Sequence, residues 1–564
     1  MNANATTVLP DPGCRVPRAG GRSDSISGSW EGCRSSLAIW AGCVSFANLC
    51  FVNVWGELQD SASYFNRKYT TSWTELAGLL LNILITAVIF RTTISLLTRV
   101  ASVRVIRVLK WLSASLLVFP LYLLYLDDSL PLRRITFPTG LPFRLLLVAL
   151  IAALAFVIAS NVGKYSTRVL SVSLLILLPA LPLAALVESW KILSVPKDVL
   201  VDNPLAAAMP QPGKAPRVVW IIFDEWDYSL TFQHRPANLD LSEIDRLRRA
   251  SFHATHAYPP ATQTIISVPS LLTGQTFVSA KPWGDDDVQL TLPDQRSPLL
   301  LSNQTTIFTE ARARGLNVGI VGWYLPYCRI FSGCASCFWQ PATGLLNRAE
   351  YDQQVELFPF MWSVFQRQIR KVPFAVRMGG LTDWSSRKQL KMTSYEQLRQ
   401  NALSAITDPR LNLLFLHWNI PHPFAIYSAA KESLSSDDSN TYVDNLRLVD
   451  RTILELREAL EKAGLWDKTT ILFTADHPLR VHNWEREILW PTTARPSEEP
   501  VQADEIPFLL KMAGQTSGME YSHKLRAVGG KDLLLAILAG KVTKAEQVAA
   551  WFDSYPSGAR ISTD

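Results

Sequence analysis

Charge is what this sequence has little of. Only 18% of its 564 residues are Asp, Glu, Lys or Arg, against about 25% in an ordinary soluble domain. The net charge of +6 is small for the length, and much of it falls in short loops between apolar segments, so the composition makes no case for nucleic acid as a partner. There is no internal repeat and no run of heptads, which excludes a solenoid or a coiled coil. The first apolar segment begins too far from Met1 for an ordinary cleaved signal peptide.

What is present in excess is apolar sequence, 48% of the chain, and it is unevenly spread. Long apolar segments occupy roughly 36–56, 74–97, 105–126, 143–162 and 169–190. Each is close to the roughly 20 residues that cross a hydrocarbon core, and buried helices of soluble proteins rarely run so long without a polar face. The third is interrupted at its start by Arg104, Arg107 and Lys110 and is kinked by Pro120. With the N-terminus inside, the inner loops carry Arg15, Arg18, Arg22, Arg34, Arg99, Arg104, Arg107, Lys110, Lys164 and Arg168. The outer loops carry fewer basic residues: Arg67, Lys68, Arg133, Arg134 and Arg144. That bias keeps the N-terminus inside and puts the residues after about 193 outside. The expected organisation is therefore a disordered tail over 1–35, a membrane domain of five helices over 36–193, a proline-rich linker over 194–216 and an exported domain over 217–564. Trp190 and Lys191 fit the interfacial end of the fifth span.

In the exported part, apolar runs of strand length alternate with helical patterns. Val218–Phe223 runs into Asp224-Glu225. A helix is predicted around 241–250, and another from Thr264 to Gly274. Further strands are predicted over 316–322, over 411–416 ending at His417, and over 469–475 ending at Asp476-His477. The run 506–512 reads as an edge strand because of Pro507. A helix over 442–462 stops near Gly464. This alternation implies a mostly parallel sheet covered by helices, with ligands binding outside the carboxyl ends of its strands. Three strand ends carry residues able to hold a metal: Asp224-Glu225, His417 with His422, and Asp476-His477. They form a plausible zinc set together with an oxygen ligand; manganese suits the same donors, ahead of calcium. Thr264 reads either as a helix N-cap or as a hydroxyl held at the positive end of a helix, where an anion binds.

Of seven cysteines, Cys328, Cys334 and Cys337 cluster. Zinc needs four ligands, so an exported domain favours a local disulfide from Cys328 to Cys334 or to Cys337.

Phe223-Asp224-Glu225, the stretch Thr262-Gln263-Thr264-Ile265-Ile266-Ser267-Val268-Pro269-Ser270-Leu271-Leu272-Thr273-Gly274, and Thr474-Ala475-Asp476-His477 together resemble the alkaline phosphatase superfamily. Within it they resemble the sulfatase-like membrane enzymes, the lipoteichoic acid synthases and lipid A phosphoethanolamine transferases. The resemblance implies an α-helical membrane domain of several spans followed by a sulfatase-like α/β catalytic domain in a bacterial inner (plasma) membrane, its catalytic domain on the periplasmic side. Two registers mark Thr264 as the nucleophile: the transferase Thr-Ser-Thr-Ala-x-Ser-Val-Pro pattern, and the Leu-Leu-Thr-Gly run that begins seven residues after the sulfatase cysteine. The sequence also departs from the pattern. Thr264 cannot mature into formylglycine, Ile266 and Val268 replace the sulfatase Pro and Arg, the Lys of Gly-Lys-Trp-His is missing near Gly322-Trp323-Tyr324, and Pro478 follows the Asp-His pair where Gly is usual.

The implied site holds a divalent metal on Asp224, Asp476, His477 and the Thr264 oxygen. Glu225 either binds the metal as well or faces solvent. His417, His422 and His482 are candidates for a second metal, headgroup contacts or protonation of the leaving group. The implied activity moves a phosphoethanolamine- or phosphoglycerol-type group from a membrane lipid donor to an envelope glycan or lipid acceptor through phospho-Thr264. The alternatives are a phosphodiester or sulfuric ester hydrolase of the same superfamily and a catalytically silent binding module on the same fold.

Overall fold

The computed structural model describes residues 24–59, 71–100, 175–194, 215–342 apart from 285, 295 and 296, 356–370, 384–484 and 504–555. The chain divides into two compact units. The first comprises 1–60, 71–195 and 355–381; the second comprises 61–70, 196–354 and 382–564.

The first unit is helical. Helix α1 spans Asp24–Cys50 and α2 Val52–Gln59, α3 spans Trp73–Val100, and α4 spans Ala180–Ser194. The first apolar segment is thus broken at Phe51. Helix α1 also begins inside the tail expected to be disordered to residue 35. Extending an apolar helix by a few turns costs less than nucleating one, and the composition of the tail does not prevent it. Helices α1 and α3 pack together, with the Phe46 and Phe90 rings 5.1 Å apart. Two apolar stretches, Trp73–Leu96 and Leu175–Ser194, are long enough to cross a membrane. The expected third and fourth spans, the first residues of the fifth and most of the linker lie outside the described residues. Trp190, at the expected interface, is 72% exposed.

The second unit is built on an eight-stranded sheet. Its strands are β1 Arg217–Asp224, β2 Phe252–Ala254, β3 Val318–Tyr324, β4 Ser336–Pro341, β5 Leu413–Pro421, β6 Thr469–Ala475, β7 Phe508–Lys511 and β8 Met519–Tyr521. Their order in the sheet is β8-β2-β7-β6-β1-β5-β3-β4. The five strands from β6 to β4 are parallel to one another, and β7 runs antiparallel to both its neighbours. Strand β1 is buried along its whole length, as its unbroken Val/Ile run requires. Trp220 meets Phe415 of β5 edge to face at 5.7 Å.

Strand β7 is not the edge strand expected from Pro507: it lies between β6 and β2. Pro507 precedes the strand, so the ladder loses no N–H donor. The short strands β2, β4 and β8 have no long apolar run and were not expected.

Helices cover this sheet. They include α5 Ser242–Arg249, α6 Thr264–Thr273, α7 Trp384–Ile406, α8 Tyr442–Lys462 and α9 Gly530–Leu538. Helix α8 illustrates the local code. Thr441 accepts from the Asp444 N–H at 3.2 Å, and the Asp444 carboxylate accepts from the Thr441 N–H at 2.9 Å, which closes a capping pair at the N-terminus. Tyr442, Leu446, Val449, Ile453, Leu456 and Leu460 form its buried stripe. Gly464, at φ 65°, lets the chain turn away beyond its end.

Cys328 is disulfide-bonded to Cys337 with a Cα–Cα distance of 5.6 Å, and Cys334 is a buried free thiol. Gly322 on β3 is packed so closely that an added methyl would stand 2.3 Å from the Tyr327 ring. Gly322→Ala is therefore expected to destabilise the protein by about 1–3 kcal/mol through overpacking, read as a lower urea midpoint of the full chain.

Candidate active site

Register brings the metal-capable residues together. Phe223 pairs with Ala475 and Ile222 with His417. Asp224 and Asp476 therefore end adjacent parallel strands at the same level, with His417 on the other side of β1. A ligand atom from each of Asp224, His417 and Asp476 lies within 4.8 Å of the others, and all three residues are buried. Asp224 Oδ1, Asp476 Oδ2 and His417 Nε2 have no hydrogen-bond partner among the described residues. Buried polar atoms are normally satisfied. Three such atoms converging on one point fit a cation, with two carboxylates and an imidazole as donors. Burial, with the Asp476 and Glu225 carboxylates nearby, pushes the Asp224 carboxyl well above the usual carboxylate range; a bound divalent cation would offset that repulsion.

His477 faces the same point. Its Nε2 is 3.2 Å from Thr264 Oγ1 and 3.4 Å from both Asp224 Oδ1 and Asp476 Oδ2. Its Nδ1 donates to the Pro478 carbonyl at 2.9 Å, which fixes the ring with Nε2 toward the acids. Pro478 thus serves the site through its carbonyl.

Thr264 is the first residue of α6. The N-cap position belongs to Gln263, so Thr264 does not cap the helix. Its hydroxyl points instead at Asp224 Oδ2, 3.4 Å away, and at His477. The Ser267 hydroxyl donates to the Asp476 carbonyl at 2.5 Å and ties the first turn of α6 to the strand that carries Asp476 and His477. The site therefore sits at a helix N-terminus, where backbone N–H groups without helical acceptors favour an anion.

The other expected residues separate. His417 joins the Asp224–Asp476 cluster itself. Its Nδ1 is 2.8 Å from the Tyr327 hydroxyl, and burial lowers its pKa to about 4, so it stays neutral. His422 donates its backbone N–H to the Asp224 carbonyl at 3.0 Å, and its Nδ1 bonds the Pro423 carbonyl at 2.7 Å. Burial, then the Lys391 and Arg480 charges, holds its imidazole well below the usual range. His482 lies in the short helix Val481–Trp484, and its side chain is outside the described residues.

Glu225 was expected either to bind metal or to face solvent. It does neither. Its backbone takes φ 62°, an unusual conformation for a residue with a side chain. Arg480 Nε donates to it at 2.6 Å and Trp484 Nε1 at 3.0 Å, while the Tyr442 hydroxyl donates to its carbonyl at 2.7 Å. These contacts hold a strained turn in place and tie the segment after His477 back to the end of β1.

Arg480, Trp484, Tyr442, Tyr327 and Tyr324 escape a reading of the sequence. Arg480 lies four residues beyond Asp476, which is the one local cue; the aromatic residues give none. Tyr324 stands at the carboxyl end of β3 with φ 77°. Burial, then the Asp224 charge, pushes its phenol up to about 12, so it remains a donor at the site edge.

Two substitutions separate ligand from support. Asp476→Ala should lose bound divalent metal, measured by elemental analysis of the purified full chain. Glu225→Gln should keep that metal and instead lower stability by about 2 kcal/mol, because the Arg480 charge loses its partner. Loss of metal in Glu225→Gln would return Glu225 to the ligand set.

The sulfatase family profile matches residues 216–536. No curated protein matches the chain. Solved structures similar to it include the phosphonate monoester hydrolase of Agrobacterium radiobacter, at 13% identity over 57% of this chain and 74% of that one, with a TM-score of 0.34. A sulfatase from Pseudoalteromonas sp. is 15% identical over 57% of this chain and 68% of that one, with a TM-score of 0.39. An alkaline phosphatase superfamily protein from Vibrio parahaemolyticus is 12% identical over 58% and 67%, with a TM-score of 0.35. The chain belongs to the sulfatase family of enzymes.

Proposed function

We propose that this protein transfers a phospho-headgroup, of the phosphoethanolamine or phosphoglycerol type, from a membrane phospholipid to an envelope glycan or lipid, through a covalent phospho-Thr264 intermediate. The observation that carries this reading is the Thr264 hydroxyl, 3.2 Å from His477 Nε2 and 3.4 Å from Asp224 Oδ2 at the start of a helix. A threonine cannot become formylglycine, so the nucleophile is the side-chain oxygen itself, and it needs activation.

Asp224, Asp476, His477 and Thr264, with His417 beside them, would hold the divalent metal, zinc or manganese. Such an ion acidifies a hydroxyl bound to it and offsets charge on phosphoryl oxygens. The residues of the chain do the rest. Asp224 Oδ2 and His477 Nε2 are within reach of the Thr264 proton. The Thr264 oxygen forms a bond to phosphorus, and the bond from phosphorus to the lipid oxygen breaks. That oxygen leaves with the electron pair and takes up a proton. The first turn of α6 directs N–H groups at the non-bridging oxygens. An acceptor hydroxyl then attacks phosphorus, loses its proton and restores Thr264. A neutral His422 suits the acceptance of that proton rather than the protonation of the leaving group.

The setting of the site supports a lipid donor. Trp73–Leu96 and Leu175–Ser194 are apolar enough to cross a membrane, as two spans of the five-helix domain of a bacterial inner membrane enzyme, with catalysis on the periplasmic side. The deciding experiment incubates the full chain with headgroup-labelled phospholipid and takes the mass of the Thr264 peptide. A mass increment on Thr264 names the transferred group, and label appearing on a glycan or lipid, rather than in water, marks a transferase. Thr264→Ala should lose turnover by on the order of a thousand-fold or more; undiminished turnover by that variant would refute the nucleophile.

A further inference from the structure

Between β4 and α7 the chain leaves the sheet unit, and residues 355–381 belong to the unit of apolar helices. The helix Leu357–Arg370 lies in this excursion. Its buried residues Phe360, Val364 and Gln368 recur every fourth position, which makes a single stripe. Phe360 lies over Gly78 of α3, where an added methyl would stand 2.7 Å from its ring. Asn82 Nδ2 donates to the Met361 carbonyl at 3.1 Å, and Gln368 Nε2 donates to Asn53 Oδ1 of α2 at 3.2 Å. The helix is therefore fastened at two places, the beginning of α3 and the beginning of α2.

The outer side is apolar as well. Phe358 is 77% exposed and Trp362 58%, and the Trp362 ring lies 5.8 Å from that of Phe365. Such a pair exposed on a helix already packed along its other side needs a cover. The surface that α3 exposes is of the same kind, with Trp73, Leu84, Ile85, Val88 and Ile89 all open. Gly78 and Asn82 fall about 8–14 Å along the helix from Trp73 at 1.5 Å per residue, within the outer half of a core about 30 Å thick. Arg367 and Arg370 fall in the last turn of the helix, a placement of charge suited to anionic headgroups.

We propose that Leu357–Arg370 is an interfacial membrane helix, lying across the outer end of α3 with Phe358 and Trp362 in the acyl boundary of the bilayer. The proposal rests on the reading that α3 crosses the membrane. It gives the catalytic half of the chain a second attachment to the lipid surface, made by sequence inserted between two strands of the sheet, from which a phospholipid donor would be drawn.

The test uses the full chain with Cys14 and Cys33 replaced by Ser; Cys43, Cys50 and Cys334 are buried. A nitroxide is placed on Trp362→Cys, on Phe358→Cys as a second variant, on Ile89→Cys as the α3 reference and on Arg410→Cys as the water reference. Each is reconstituted in bilayers of phosphatidylethanolamine and phosphatidylglycerol, and collision with oxygen is compared with collision with a water-soluble nickel chelate. The expected oxygen-to-nickel ratio at 358 and 362 is several-fold above that at 410, as it is at 89. A ratio at 358 and 362 equal to that at 410, with 89 still oxygen-rich, overturns the interfacial helix and leaves the membrane reading standing. Low access to both colliders at 358 and 362 means a second copy or another protein covers the face, and also overturns it. A water-like ratio at 89 removes the membrane reading and this proposal with it.

Discussion

Two carboxylates buried side by side, Asp224 and Asp476, are the constraint on which the rest of the site depends. In a low-dielectric interior such a pair is costly unless positive charge is supplied. Parallel pairing of β1 with β6 makes the pair unavoidable, since each strand ends in its acid at the same level. The surrounding residues answer that cost. His417 and His477 aim their Nε2 atoms at the pair, the α6 N-terminus faces it, and Arg480 lies close enough to favour ionised Asp224.

Support is arranged around this pair in layers of ordinary contacts. Tyr327 orients His417 and is itself packed under Gly322. Ser267 ties α6 to the Asp476 carbonyl. Arg480, Trp484 and Tyr442 hold the Glu225 turn. Each of these groups acts by restricting where another can point, which is how a site gains geometric precision from a rigid sheet edge.

The apolar helices and the sheet do not follow one another in simple succession along the chain. The sheet unit begins after the apolar helices, yet residues 355–381, which interrupt the sheet sequence, cluster with those helices. A loop between strands is free to be long because loop closure grows costlier only slowly with length, and that freedom lets the sheet sequence be interrupted by a helix of the other unit.

Local features were legible in the sequence because short-range physics sets them. The limits of α8 follow from the Thr441 cap and Gly464, α6 starts at Thr264 as its preceding prolines require, and the central strands follow from apolar runs. Asp224, Thr264, Asp476 and His477 could be named because motif and spacing converge on them. Short strands such as β2 and β8 were not legible, since a few residues carry too little pattern. Nor was the place of β7 inside the sheet, because pairing is a long-range choice. The sequence by itself thus determined which residue types end the strands and which oxygen begins the helix. Only the tertiary structure decided that His417 belongs with the two acids, that Glu225 pairs with Arg480, and that Cys328 pairs with Cys337. The first two depend on strand register and on one residue's φ, set by partners far along the chain, and the third on where a local loop places the two sulfurs.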